Sequence, residues 1–111
     1  ILREEVRKYA SNGRSAQARL FPLLNDSLQT YAVNAVGEVG GQHISHVIVL
    51  ARLVNDQIVI EEDKTDKPLF EALEQCGIPR ERIVLAYAGE AVPDATTFEI
   101  TGKHVTQSMK S

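Results

Sequence analysis

The chain has no tryptophan, one methionine and one cysteine, and aromatic residues make up only 5% of its 111 residues. The lone thiol, Cys76, cannot close an internal disulfide, and no Cys/His set shows zinc-ligand spacing, so the expected compartment is reducing and cytoplasmic. No run approaches the roughly 20 apolar residues of a membrane-spanning helix. The opening from Ile1 has neither an apolar signal region nor a small-residue cleavage site, so no secretory address and no membrane association are expected. Ile1 in place of Met points to a few residues upstream. There is also no excess of positive charge: Lys+Arg of 12 against Asp+Glu of 15 leaves −3. Such a chain repels phosphate, and direct DNA contact through bulk charge is not expected. What is present is an ordinary globular composition, 43% hydrophobic and 24% charged, and enough length for one core. A single domain over residues 1–111 is therefore expected.

Leu2, Val6, Tyr9 and Ala10 recur at helical spacing among Arg3, Glu4, Arg7 and Lys8, which predicts an amphipathic helix ended by Asn12-Gly13. Ala18 to Leu24 reads as a strand, placed at an edge or a bulge because Pro22 lacks a backbone donor. Asn25-Asp26-Ser27 is a turn cluster, and Thr30 to Val36 is a second strand that the glycines from Gly37 to Gly41 interrupt. Ile44 to Val54 has a nearly unbroken apolar centre, which predicts a central strand buried on both faces or packed on a partner chain. Asn55-Asp56 between two apolar runs predicts a hairpin into Gln57–Glu61.

The next segment reads as a helix from about Asp66 to Cys76, capped by Thr65 or Asp66, with Pro68 in its first turn. Leu69, Phe70, Leu73 and Cys76 share its apolar side, so Cys76 is expected as a small core residue. Gly77 suits the left-handed position after the last turn, Ile78 can fold back on Leu73, and Pro79 stops the helix. Arg82 to Tyr87 is a last strand. From Ala88 to Ser111 only Val92, Phe98, Ile100 and Val105 offer apolar anchors, and weak order is expected. The whole is an α+β fold: an N-terminal helix, an antiparallel four-stranded meander, a helix and a further strand.

Reactive constellations are scarce. His43 and His46 lie three apart on one strand and therefore face opposite ways, so they cannot easily share a metal. His104 has no companion. Ser45 has no Gly-x-Ser-x-Gly elbow around it, and no nucleophile triad is visible. The densest polar group is Glu61, Glu62, Asp63 and Asp66, where a strand end meets a helix start. It lacks the spacing of a calcium loop, and acids at a helix N-terminus interact favourably with the dipole by about 0.3–1 kcal/mol each. A solvated capping region that serves as an acidic docking surface is the expected role, with a small metal-dependent or hydrolytic enzyme as the alternative. Arg3, Arg7, Lys8, Arg14 and Arg19 make the N-terminal part basic, while Asp56, Glu61, Glu62, Asp63, Asp66, Glu71 and Glu74 make the later part acidic, a polarity suited to protein partners. A nucleic-acid-binding module is the other alternative. The apolar run Val47 to Leu53 exceeds what a sheet covered on one face needs, which predicts a homo-oligomer.

Asn55 to Asp66, followed by Cys76-Gly77-Ile78-Pro79-Arg80-Glu81-Arg82-Ile83-Val84-Leu85-Ala86-Tyr87, resembles the XisI-like family, the fdxN element excision controlling factors of cyanobacteria. That family typically shows an Asp-Gly hairpin, an Ile-Trp-Ile-Gln-Gln-Asp-Gly-Thr-Glu stretch, a helix, and a Gly-Val-Pro-Lys-x-Asp-Ile-Val-Leu-Gly-Phe segment. Tyr31 and Val36-Gly37 fit its upstream pattern, so the resemblance covers residues 1 to about 100. Glu38 and Val59 stand where it has tryptophan, Glu61-Glu62 where it has paired Gln, and Lys64 where it has Gly. Ala88-Gly89-Glu90 replaces its His-Pro-Pro, and no Arg follows Arg82. The resemblance implies a non-enzymatic accessory factor, without a cofactor, that controls site-specific excision of a DNA element through a XisH-like protein partner.

Overall fold

The computed structural model describes residues 1–12 and 18–93. The first helix, α1 (Leu2–Asn12), leads to strands β1 (Ala18–Asn25), β2 (Thr30–Val39), β3 (Gln42–Val54) and β4 (Gln57–Asp63). Helix α2 (Leu69–Gln75) follows, then a 3-10 turn at Arg80–Arg82, the short strand β5 (Ile83–Leu85) and a second 3-10 turn at Ala86–Ala88. The five strands lie in the order β1-β2-β3-β4-β5. The first four run antiparallel, whereas β5 pairs with β4 in parallel, with Val59 opposite Val84. The predicted meander, helix and further strand are all present, in a mixed sheet. The parallel pairing follows from α2, which carries the chain back across one face before β5 begins. No helix among the described residues is long and apolar enough to cross a membrane.

Both helices pack on one face of the sheet. Leu2 and Val6 of α1 and Leu69 and Leu73 of α2 are buried against Val33, Val49, Ala51, Ile58, Ile60, Ile83 and Leu85. Ile60, Leu69, Leu73 and Val6 have no measurable exposure.

β3 is the central strand, as the sequence predicts, but it is not buried on both faces. Val49 and Ala51 are fully buried under the helices, while Val47, Leu50 and Arg52 are only half-buried on the other side. The apolar run arises because register shifts between Val33 and Asn34 on β2, where Ile48 is left unpaired on β3, and again at Leu50/Ala51, where Glu61 is left unpaired on β4. A bulge exchanges which residues of a strand face the core. Thus Val47 pairs with Asn34 on the bare face, and Val49 pairs with Val33 on the covered one.

The turns follow their chemistry. Asn55 and Asp56 both take positive φ, 49° and 68°, the backbone that a two-residue hairpin needs. After α2, Gly77 (φ 97°) lets its N–H reach the Glu74 carbonyl at 3.0 Å and the Ile78 N–H reach the Leu73 carbonyl at 3.1 Å. This is the predicted left-handed stop, with Ile78 packed on the core. β1 is an edge strand, which is where Pro22 is tolerated. The last strand is shorter than the predicted Arg82–Tyr87, because 3-10 turns claim both ends. The Gly13 helix stop, the basic Arg14, His104 and the tail anchors Phe98, Ile100 and Val105 lie outside the described residues.

Candidate functional site

The four acidic candidates do not form one surface. Glu61 and Glu62 border the bare face of the sheet, where Glu62 pairs with Leu50 in register and Glu61 Oε2 accepts a 2.7 Å bond from Arg52 Nε. Lys64 Nζ stands 3.7 Å from Glu62, too far for a hydrogen bond. Asp63 points to the opposite, helix-bearing face. Its Oδ2 accepts the Leu69 N–H at 2.7 Å, and its Oδ1 accepts the Thr65 N–H at 2.9 Å and the Thr65 hydroxyl at 2.5 Å. Asp66 is exposed on the loop before α2. Alternation along β4 separates these neighbours, with the bulge at Glu61 deciding which one turns inward.

Asp63 is therefore a capping residue, six positions upstream of the N–H it satisfies. The predicted caps are corrected: neither Thr65 nor Asp66 caps α2, the N-cap position is Pro68, and Pro68 has no side chain that could accept. The Thr65 hydroxyl instead lies 2.9 Å from the Lys67 carbonyl, which also accepts the Tyr9 hydroxyl of α1. Burial pushes the Tyr9 phenol up, and nearby Asp63 adds to this. The phenol stays protonated and donates, tying α1 to the loop that carries Asp63.

Cys76 is also corrected. It is exposed, because α2 ends at Gln75 and Cys76 leaves the apolar stripe at the C-cap. Its Sγ lies 3.5 Å from Glu5 Oε2, and lost hydration together with that carboxylate pushes the thiol up. A protonated thiol is a poor nucleophile.

The basic N-terminal helix spends its charge locally. Arg7 and Arg3 reach Glu4 at 2.9 and 3.0 Å, Lys8 reaches Glu5 at 2.9 Å, and Arg3 Nε lies 3.2 Å from Asp26. Such pairs contribute little to stability, but they remove the uncompensated positive stripe that a phosphate backbone requires. His43 and His46 pair with Glu38 and Ala35 and face opposite ways, as their spacing predicts. Ser45 Oγ accepts from Asn34 Nδ2 at 2.9 Å. Among the described residues no three His, Cys, Asp or Glu side chains are placed to hold a metal ion.

One feature was not visible in the sequence as a site. The outer side of β5 is closed by Arg80 and Glu90. Arg80 Nη1 donates to the Ile83 carbonyl at 2.6 Å and Nη2 to Glu90 Oε2 at 2.8 Å, while Glu90 Oε1 accepts the Leu85 N–H at 2.8 Å. The Glu90 N–H returns to the Leu85 carbonyl at 3.1 Å. The Leu85 amide and the Arg80 guanidinium hold the Glu90 carboxyl below its ordinary value. The signal was present as Glu90 at a place where the XisI-like pattern has His-Pro-Pro.

The arrangement defines a two-layer α+β fold with helices on one sheet face and, among the described residues, none on the other. The family model described as XisI protein matches residues 1–100, and the chain belongs to that family. Among solved structures it is similar to a XisI-like protein from Anabaena variabilis ATCC 29413, at 25% identity and a TM-score of 0.68, covering 76% of this chain and 78% of that one. It shares its fold with the fdxN element excision controlling factor XisI of the same organism, at 24% identity and a TM-score of 0.65, covering 85% of this chain and 89% of that one. No curated protein matches the chain.

Proposed function

We propose that this chain is a non-enzymatic accessory factor that controls site-specific excision of a DNA element by binding other proteins, a XisH-like protein among them. The observation that carries the reading is the XisI family match over residues 1–100, supported by the fold shared with a protein called an excision controlling factor. The local neutralisation of Arg3, Arg7 and Lys8 favours a protein partner over a nucleic-acid one. Of the four acidic candidates, Asp66 is the one presented outward on the helix side, and exposed Glu71 and Glu74 extend that acidic surface along α2. This surface is where a basic partner docks. Glu61 and Glu62 belong to the bare face, and Asp63 has a structural role.

Co-expression of the tagged chain with the XisH-like protein tests the reading. Co-elution at a fixed ratio is expected, and Asp66→Lys with Glu71→Lys should weaken the complex at least tenfold while leaving the fold intact by circular dichroism. A chain that never co-elutes overturns the assignment; an unchanged complex in the double reversal moves the docking surface elsewhere.

A further inference from the structure

The sheet face that carries no helix among the described residues presents exposed apolar side chains beside the polar Asn34, Ser45 and Arg52. Register places Phe21 and Leu23 of β1, Val36 of β2, and Val47 and Leu50 of β3 on it, and Phe21 and Leu23 are 39% and 54% exposed. An antiparallel sheet with a solvated face normally alternates to polar residues there.

The two flanks of the sheet cannot take up another strand. On β1 the mid-strand Pro22 blunts the edge. On β5 the backbone groups that would pair outward are already held by Arg80 and Glu90. Copies of the chain are therefore not expected to join edge to edge, and the exposed apolar side chains of the face are the surface left for them to cover.

Charge identifies the occupant. At one corner of the patch Arg19, exposed on β1, stacks over Phe21 at 5.3 Å, with no carboxylate within salt-bridge distance among the described residues. Across the sheet on β4 stands Glu62, whose ion pair with Lys64 is long at 3.7 Å and exposed, whereas its neighbour Glu61 accepts a 2.7 Å bond from Arg52. Glu62 is in register with Leu50, Ala32 and Leu23, so Arg19 and Glu62 stand three strand spacings apart across the sheet and four residues apart along it, a diagonal of roughly 19 Å. The midpoint between them falls between Asn34 and Val47, at the centre of the apolar patch. A two-fold axis lying in the plane of the face, through that point and perpendicular to the Arg19–Glu62 line, exchanges the two corners. Each Arg19 then meets the partner's Glu62, and the apolar centres stack on each other. The surface is self-complementary, as an isologous interface requires.

The geometry points to a second copy of this chain as the occupant: the bare face is a two-fold dimer interface, closed at its centre by Phe21, Leu23, Val47 and Leu50 and at its corners by two Arg19–Glu62 pairs between copies. This site lies on the opposite side of the sheet from the acidic surface along α2 and does not depend on it.

Sedimentation of the full chain over a concentration series tests the proposal. A species of twice the 12.2 kDa chain mass is expected at micromolar concentrations. Leu23→Ser, at an exposed edge position that the fold tolerates, should raise the dimer dissociation constant at least a hundredfold, with circular dichroism reporting an intact fold. Arg19→Glu and Glu62→Arg alone should each raise it at least tenfold, and the two together should restore it. A monomer at every concentration, with the face covered only in the complex with the XisH-like protein, overturns the proposal. So does a dimer indifferent to Leu23→Ser, or a double reversal no tighter than the single ones.

Discussion

The two faces of the one sheet are made from the same kinds of residue and end in different surroundings. On the covered face Val33, Val49, Ala51 and Ile60 are fully buried beneath α1 and α2. On the bare face Val36, Val47 and Leu50 keep part of their surface, and Phe21 and Leu23 keep much more. Apolar character therefore says that a strand residue can be covered. The rest of the chain decides whether it is covered within the same molecule. Near the β5 side the distinction fades, since Val59 and Val84 are buried although they lie on the bare face.

The contrast can be broken first at the covered face. Ile60→Ala or Leu73→Ala removes a fully buried side chain and leaves a cavity beneath a helix, so a loss of about 2–5 kcal/mol in urea unfolding is expected. Next comes the adjacent pair Asp63 and Glu62, one on each face. Asp63→Ala should cost about 1–2 kcal/mol by orphaning the Leu69 N–H, whereas Glu62→Ala should stay within about 0.5 kcal/mol in dilute protein. Equal losses would erase the distinction drawn between them. Leu23→Ser should likewise stay within about 0.5 kcal/mol when unfolding is followed below the dimer dissociation constant. The smallest effect belongs to the β5 rim, where the Glu90 carboxyl is held below its ordinary value. Its contribution is complete above the ordinary glutamate pKa of about 4.3 and is lost as pH falls through the lower folded value. An unfolding-midpoint titration should show this acid-side slope, and Glu90→Gln should flatten it.

Much of the fold was legible because its signals are local. The Asn55-Asp56 turn, the Gly77 stop and the edge position of Pro22 each follow from one or two residues whose backbone preferences admit few alternatives. The bulges were not legible. Four consecutive apolar residues, Val47 to Leu50, look like a strand buried on both sides, and only the pairing with β2 shows that Ile48 is an extra residue that switches faces. The acidic quartet was legible as a cluster but not as a site, because adjacent side chains on an extended strand diverge and the second bulge sends Glu61 and Glu62 one way and Asp63 the other. The cap of α2 was missed for a related reason. Its acceptor lies six residues before the N–H it serves, beyond the three-residue reach of the usual capping patterns. Cys76 followed the helical stripe in sequence and left it in space, since the helix stops one residue earlier.

Pro22 has a consequence that reaches past the single molecule. Sheet proteins with an open rim can recruit copy after copy along the hydrogen-bonding direction and grow into fibrils. Here one rim is interrupted at its middle and the other is sealed, so lateral polymerisation has no template at either end. Replacing Pro22 with a β-branched residue would supply one, so that two copies could join edge to edge, while the sealed β5 rim would still stop the sheet from growing further.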